Sequence, residues 1–341
     1  MRFVCILFLL AAAVFLAVLP GCLSSTGPGA KDRDPGPYPE RSFMSFLDGL
    51  GVAPSWECVR MADHVPPLPP EADKIFQAAR ALEKRGDLSP EEKQTVADGY
   101  RKAAEMGHWK AMNNLLACYL YGTCTPRDWG KARELADQLI ALNVGSGWYA
   151  RYIMERDDEF LHKAADLGEP NAQYKLGFYY VYPEDRDILG LRYLVCATRQ
   201  GHGQAAYEVG KYLEIFKNYY MAVEYYYRAI SLGHDMAAFE LYGVFHPEYE
   251  PDDFGHNLGF QVSAPPFCTY SEMFRKLSHE LEKNPGTRIP DLFKKYPLPP
   301  NAAMTREQSR AKSSPLKDAF GGKWPDEIFP DLAPDYLPPK L

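Results

Sequence analysis

The sequence predicts an all-α fold, a right-handed α/α solenoid of stacked helical hairpins, on three observations. First, four segments end alike, with an alanine four positions before a glycine: Ala103-Ala104 before Gly107, Ala164-Ala165 before Gly168, Ala197-Thr198 before Gly201 and Ala229-Ile230 before Gly233. Small residues let two helices approach closely, and glycine provides the left-handed residue that closes a helix. Second, these glycines stand 61, 33 and 32 residues apart, and two periods near 33 mark a helical-hairpin repeat. Third, of 29 prolines only Pro126, Pro170 and Pro183 fall between residues 98 and 245. Proline breaks helix interiors, so helices are expected there and irregular chain on both sides.

The elements follow in chain order. Met1-Arg2 is a short basic start, and the apolar run Phe3–Leu19 ends at Pro20-Gly21. That reads as an export signal over 1–21. Leu19-Pro20-Gly21-Cys22 resembles a lipobox, which implies acylation of Cys22; Leu23 after it implies sorting to the periplasmic face of the outer membrane of a Gram-negative cell. Residues 22–41 are small, polar and rich in Pro and Gly, as a flexible tether is. Residues 42–97 form a lead-in with the first helices, and 98–245 the repeats.

In each unit the residues after the glycine, such as Ala172 and Leu176, fall four apart and face the preceding helix. The 61-residue gap is expected to hold one degenerate hairpin, with helices over Lys131–Leu142 and Trp148–Met154. A single hairpin buries too little surface to stand alone, so the units must stack. Residues 246–341 contain an amphipathic helix, Glu272–Lys283, and then a Pro-rich stretch with Phe320, Trp324, Phe329 and Tyr336. That stretch is either a strap on the protein's own surface or an arm for a partner.

Thirty-eight Lys and Arg against 45 Asp and Glu give a net charge of −7. Such a balance lacks the electrostatic footprint of a general nucleic-acid binder. No catalytic motif completes. His279-Glu280 lacks the second histidine of a zinc-protease phrase, and His108-Trp109-Lys110 is followed by Leu115 where a phospholipase-D phrase needs Asp. No metal site or cofactor is expected. His108, His202 and His234 all follow the turn glycine, which points to a structural place at the start of each second helix. Cys118 and Cys124 form either a disulfide or two small buried hydrophobes, and an odd cysteine remains among Cys58, Cys196 and Cys268. Tyr179, Tyr182, Tyr219, Tyr220 and Tyr227 fall wholly or partly off the packing pattern, and Glu248, Glu250, Asp252 and Asp253 make an acidic loop. These nine are the candidate partner-binding residues, because tyrosine gives large contact area at low entropic cost.

The runs Met221-Ala222-Val223-Glu224-Tyr225-Tyr226-Tyr227-Arg228-Ala229 and Lys163-Ala164-Ala165-Asp166-Leu167-Gly168-Glu169-Pro170-Asn171-Ala172 resemble the Sel-like repeat family, relatives of the tetratricopeptide repeat. Trp56-Glu57-Cys58-Val59, Pro66–Phe76 and Ile289–Pro300 resemble a narrower group of bacterial Sel-like repeat lipoproteins. That resemblance implies a non-enzymatic immunity protein that neutralises a type VI secretion effector, with phospholipases favoured. An envelope scaffold organising other periplasmic or outer-membrane proteins is the alternative.

Overall fold

The computed structural model describes residues 58–181, 188–215, 219–245, 266–290 and 292–295. All lie in one unit, Glu57–Leu341. The signal, Cys22, the tether, Tyr182, the acidic loop and the final Pro-rich stretch fall outside them. Among the described residues there are thirteen α-helices and no strand: α1 (Pro70–Glu83), α2 (Pro90–Glu105), α3 (Trp109–Tyr121), α4 (Trp129–Ala141), α5 (Gly145–Glu155), α6 (Asp158–Asp166), α7 (Pro170–Val181), α8 (Ile188–Arg199), α9 (Gly203–Ile215), α10 (Tyr219–Ser231), α11 (Asp235–Val244), α12 (Pro266–Lys283) and α13 (Leu292–Lys295). From α1 to α12 each helix packs on the next.

Five hairpins, α2–α3, α4–α5, α6–α7, α8–α9 and α10–α11, turn in the same way. One residue in each turn is left-handed: Gly107, Gly168, Gly201 and Gly233 at φ 75–89°, and Asn143 at φ 58°. It donates its N–H to Ala104, Ala165, Thr198, Ile230 or Ile140. The next residue (His108, Glu169, His202, His234 or Val144) reaches back to the carbonyl of Ala103, Ala164, Ala197, Ala229 or Leu139. Both bonds satisfy carbonyls that a helix end leaves open. The second turn is the degenerate one: asparagine tolerates left-handed backbone, so a search for glycine passes over it.

In three of the five hairpins the side chain of the residue after the turn caps the second helix. His108 Nδ1 accepts from Ala111 N at 3.0 Å, and His202 Nδ1 from Ala205 N at 3.1 Å. Glu169 Oε2 does the same for Ala172 N at 2.6 Å. The histidine rings stack on Phe76, Tyr174 and Tyr207, with centroids 4.5, 4.6 and 5.0 Å apart for His108, His202 and His234. The recurrent histidines thus hold the structural place expected of them. Burial pushes the His202 imidazole down to about 4 and the Glu169 carboxyl up to about 7.

The turn edge carries two straps. Residues 58–69 run along it from the third and fourth hairpins back to the first. Cys58 is disulfide-bonded to Cys196, 138 residues away, with Cα atoms 5.5 Å apart. Gln173 Nε2 donates to the Val59 carbonyl at 2.9 Å, and Met61 N–H donates to Gln200 Oε1 at 2.9 Å. Trp109 Nε1 donates to the Pro66 carbonyl at 3.2 Å. A side chain at Gly168 would meet Met61 N at 2.5 Å, so the strap requires the absence of one there. Residues 284–290 make the second strap: Ile289 N–H donates to the Ser231 carbonyl at 2.9 Å, and Gly233 abuts Gly286 and Thr287.

Helix α12 closes the array on α11. It is longer than the helix expected over Glu272–Lys283, and it buries Phe274, Leu277 and Leu281. This overturns the reading of Tyr227 as a surface residue. Tyr227 is 0% exposed and meets Phe274 edge-on at 5.5 Å between centroids. Tyr225 and Tyr226 are buried too, as inter-repeat packing requires.

Two measurements test this account. Gly147 abuts backbone, its added Cβ lying 2.6 Å from Ala136 O and 2.8 Å from Ile140 N, whereas Gly243 has nothing within 4 Å. Gly147→Ala is therefore expected to cost about 1–3 kcal/mol in urea unfolding. Gly243→Ala, in α11, should gain about 0.5–1 kcal/mol; equal effects would refute the packing described. The second concerns pH. A histidine with a depressed folded pKa contributes stability that is present above pH 6.5 and lost as pH falls toward 4. Glu169 has the opposite slope, its contribution being present below pH 4.5 and lost as pH rises through 7. His202→Asn keeps a cap acceptor and should remove up to about 3 kcal/mol of acid-linked destabilisation, read as unfolding midpoints at pH 7 and pH 4.5. An unchanged slope would show that His202 does not carry it.

Candidate partner-binding face

With the turn edge strapped, the second helices of the hairpins offer the richest side-chain chemistry. The capped turn sets their register. Five residues after each cap stands an aromatic in hairpins two to four: Tyr149 after Val144, Tyr174 after Glu169 and Tyr207 after His202. All three are half-buried, and burial pushes the Tyr149 and Tyr174 hydroxyls up to about 12. They stay neutral at physiological pH and act as ring faces and hydrogen-bonding groups.

Between α5 and α7 the row is densest. The Tyr152 and Tyr179 hydroxyls lie 3.4 Å apart, and the Tyr149 and Tyr152 rings stack at 6.1 Å. Lys175 Nζ stands 5.7 Å from the Tyr152 ring centroid and 5.2 Å from that of Tyr179. The Arg156 guanidinium lies 5.9 Å from the Tyr152 ring. Towards α9 and α11 the row turns acidic. Lys211 pairs with Glu240 at 3.1 Å and lies 3.8 Å from Glu214, which accepts the Tyr226 hydroxyl at 2.5 Å.

At the opposite end of α3 from its capped turn, Cys118 and Cys124 are disulfide-bonded, with Cα atoms 5.2 Å apart. Tyr121 lies within the loop they staple and Trp129 follows it, 56% and 52% exposed. A short closed loop holds such aromatics with little entropy left to lose on binding.

Of the residues singled out in the sequence, Tyr179 sits in the dense part of this face, half-buried. Tyr227 is in the core. Tyr219 and Tyr220 open α10, but their side chains, like Tyr182, Glu248, Glu250, Asp252 and Asp253, lie outside what is described. The sequence reading missed Tyr149, Tyr152, Lys175 and Arg156. Aligning Asn143 with the turn glycines would have brought Tyr149 into register with Tyr174 and Tyr207. The two motif fragments have other uses: His108 is a buried cap whose Nε2 lies 3.1 Å from Asp73, and His279 is exposed beside Glu282. Among the described residues no group of three or more His, Cys, Asp or Glu side chains gathers to hold a metal. Nor is any helix there long and apolar enough to cross a membrane.

No family model matches the chain. A curated mouse protein, DAP3-binding cell death enhancer 1, is 28% identical over 193 residues, and the match spans only 38% of its length. The similarity to solved structures reaches much further along the proteins compared. Immunity protein Pa5087 of Pseudomonas aeruginosa is 35% identical at a TM-score of 0.59, over 72% of this chain and 95% of that one. Immunity protein PA5088 of the same organism is also 35% identical, at a TM-score of 0.62 over the same shares, and PA5086 is 36% identical at 0.59. With that identity sustained over almost the whole of each relative, the chain belongs to the family of the Pseudomonas aeruginosa immunity proteins Pa5087 and PA5088.

Proposed function

We propose that this chain is an immunity protein that binds and neutralises an antibacterial type VI secretion effector of the phospholipase class, acting in the periplasm from a lipid anchor at Cys22. The observation that carries the reading is the kinship with immunity proteins over 95% of their length. The second-helix face supports it, because ring faces, neutral hydroxyls and fixed charges suit contact with another protein. The effector class rests on the lipoprotein resemblance of the flanks, and the anchor on Leu19-Pro20-Gly21-Cys22.

Mechanistically, an inhibitor of this kind covers the toxin's active site or its approach to the membrane. The 35 residues between Cys22 and Cys58 set the reach, at most roughly 120 Å when fully extended. A multi-chain lipid holds such an anchor stably.

Deleting the gene in cells that carry the cognate effector should abolish their viability in competition. Survival should return when the effector's catalytic residue is also removed. Equal survival in both backgrounds would overturn the reading, and recovery of several housekeeping envelope proteins in place of one effector would favour a scaffold.

A further inference from the structure

We propose that Arg156, Lys175 and the hydroxyl pair of Tyr152 and Tyr179 form a seat for a carboxylate side chain, Asp or Glu, on the neutralised effector. This rests on the immunity reading above and adds to it a location and a partner chemistry.

Three observations converge on the seat. Both cations stand within 6 Å of one ring, that of Tyr152, yet among the described residues neither forms an ion pair with a carboxylate. Lys211, one hairpin further along, is paired with Glu240, so the vacancy belongs to this part of the row. Asp157, Asp158 and Glu159 open the neighbouring element, and the charge of Asp158 reaches the Tyr152 hydroxyl.

Arg156 also occupies a costly place. It ends α5 in the left-handed conformation, φ 59°, with its N–H bonded to the Tyr152 carbonyl at 2.8 Å. A side chain there is strained in a way that glycine would avoid. The hairpin turns use glycine four times and asparagine once for such positions. An arginine held there at a cost points to use of its charge.

Finally, the hydroxyls complete the recognition. A carboxylate accepts several hydrogen bonds, and a guanidinium and an ammonium beside the hydrogen-bonded hydroxyl pair provide charged donors to it. An anionic membrane is a poorer occupant, because Glu208, Glu214 and Glu240 continue the same row and the whole chain carries −7.

Two arms test the seat. In the first, the full chain is titrated with a tetraglutamate peptide and, as control, a tetraglutamine peptide, while the backbone amides of 152, 156, 175 and 179 are followed by NMR. Those amides should shift with glutamate only; no shift, or equal shifts with both peptides, overturns the seat. In the second, the effector that crosslinks to the wild-type chain is purified and its affinity measured. Lys175→Glu combined with Arg156→Glu should weaken it at least ~30-fold, as loss of desolvated charge pairs does.

Arg156→Gly separates function from folding. It should raise the unfolding midpoint by relieving the left-handed side chain, yet weaken the complex at least ~10-fold. A raised midpoint with unchanged affinity would overturn the proposal. So would loss of binding to phosphatidylglycerol vesicles, in place of the effector, as the effect of the double variant. If wild-type chain captures no effector, the neutralising role falls, and the peptide arm still decides whether carboxylates are recognised.

Discussion

One turn geometry governs this molecule: a left-handed residue closing the first helix of each hairpin, followed by a residue that bonds back five positions and opens the second. Because both bonds are to backbone, the turn between the two helices is set locally, by the same pair of bonds five times. The cap then fixes the rotation of the second helix, and that rotation decides which side chains face the core and which face a partner. The histidines also tie neighbouring units together, since their rings lie on Phe76 of α1, Tyr174 of α7 and Tyr207 of α9. Local backbone chemistry therefore propagates into the spacing of the whole array.

What was legible in the sequence follows from this. Glycine at a left-handed position and alanine at a close helix contact are forced by local sterics, so four hairpins and the roles of their histidines were readable from residue type and spacing. The fifth was readable from its helices, expected over Lys131–Leu142 and Trp148–Met154, but not from its turn, because Asn143 meets the same backbone demand with a different residue. Long-range features left no such pattern. Nothing near Cys58 in the chain announces Cys196, and the glutamines that hold the strap, Gln173 and Gln200, look like ordinary polar helix residues until Val59 and Met61 are laid against them. Tyr227 failed for the same reason: its partner, Phe274, is 47 residues downstream, in a helix that the repeat period does not include.

The candidate face was harder to read than the fold. Tyr179 was recognisable as off-pattern, but its partners, Tyr152 and Lys175, come from two hairpins, one of them hidden behind Asn143. Arg156 carried its signal in φ, which no composition reveals. A binding surface assembled across repeats becomes visible only when the register between them is known.

The straps bear on how such a surface works. In a simple solenoid each unit touches only its neighbours, and small rotations accumulate along the array. Here Cys58–Cys196 and the Met61–Gln200 bond join one end of a strap to the fourth hairpin, while Pro66 meets Trp109 at the first. The strap spans the second and third hairpins between these fixed points, so they cannot splay without breaking bonds at one end. Tyr149, Tyr152 and Arg156 lie on the second hairpin, and Lys175 and Tyr179 on the third. The restraint acts across the pair of units whose side chains make up the dense part of the face. Ordering of such groups, otherwise charged against affinity at each binding event, is completed when the chain folds.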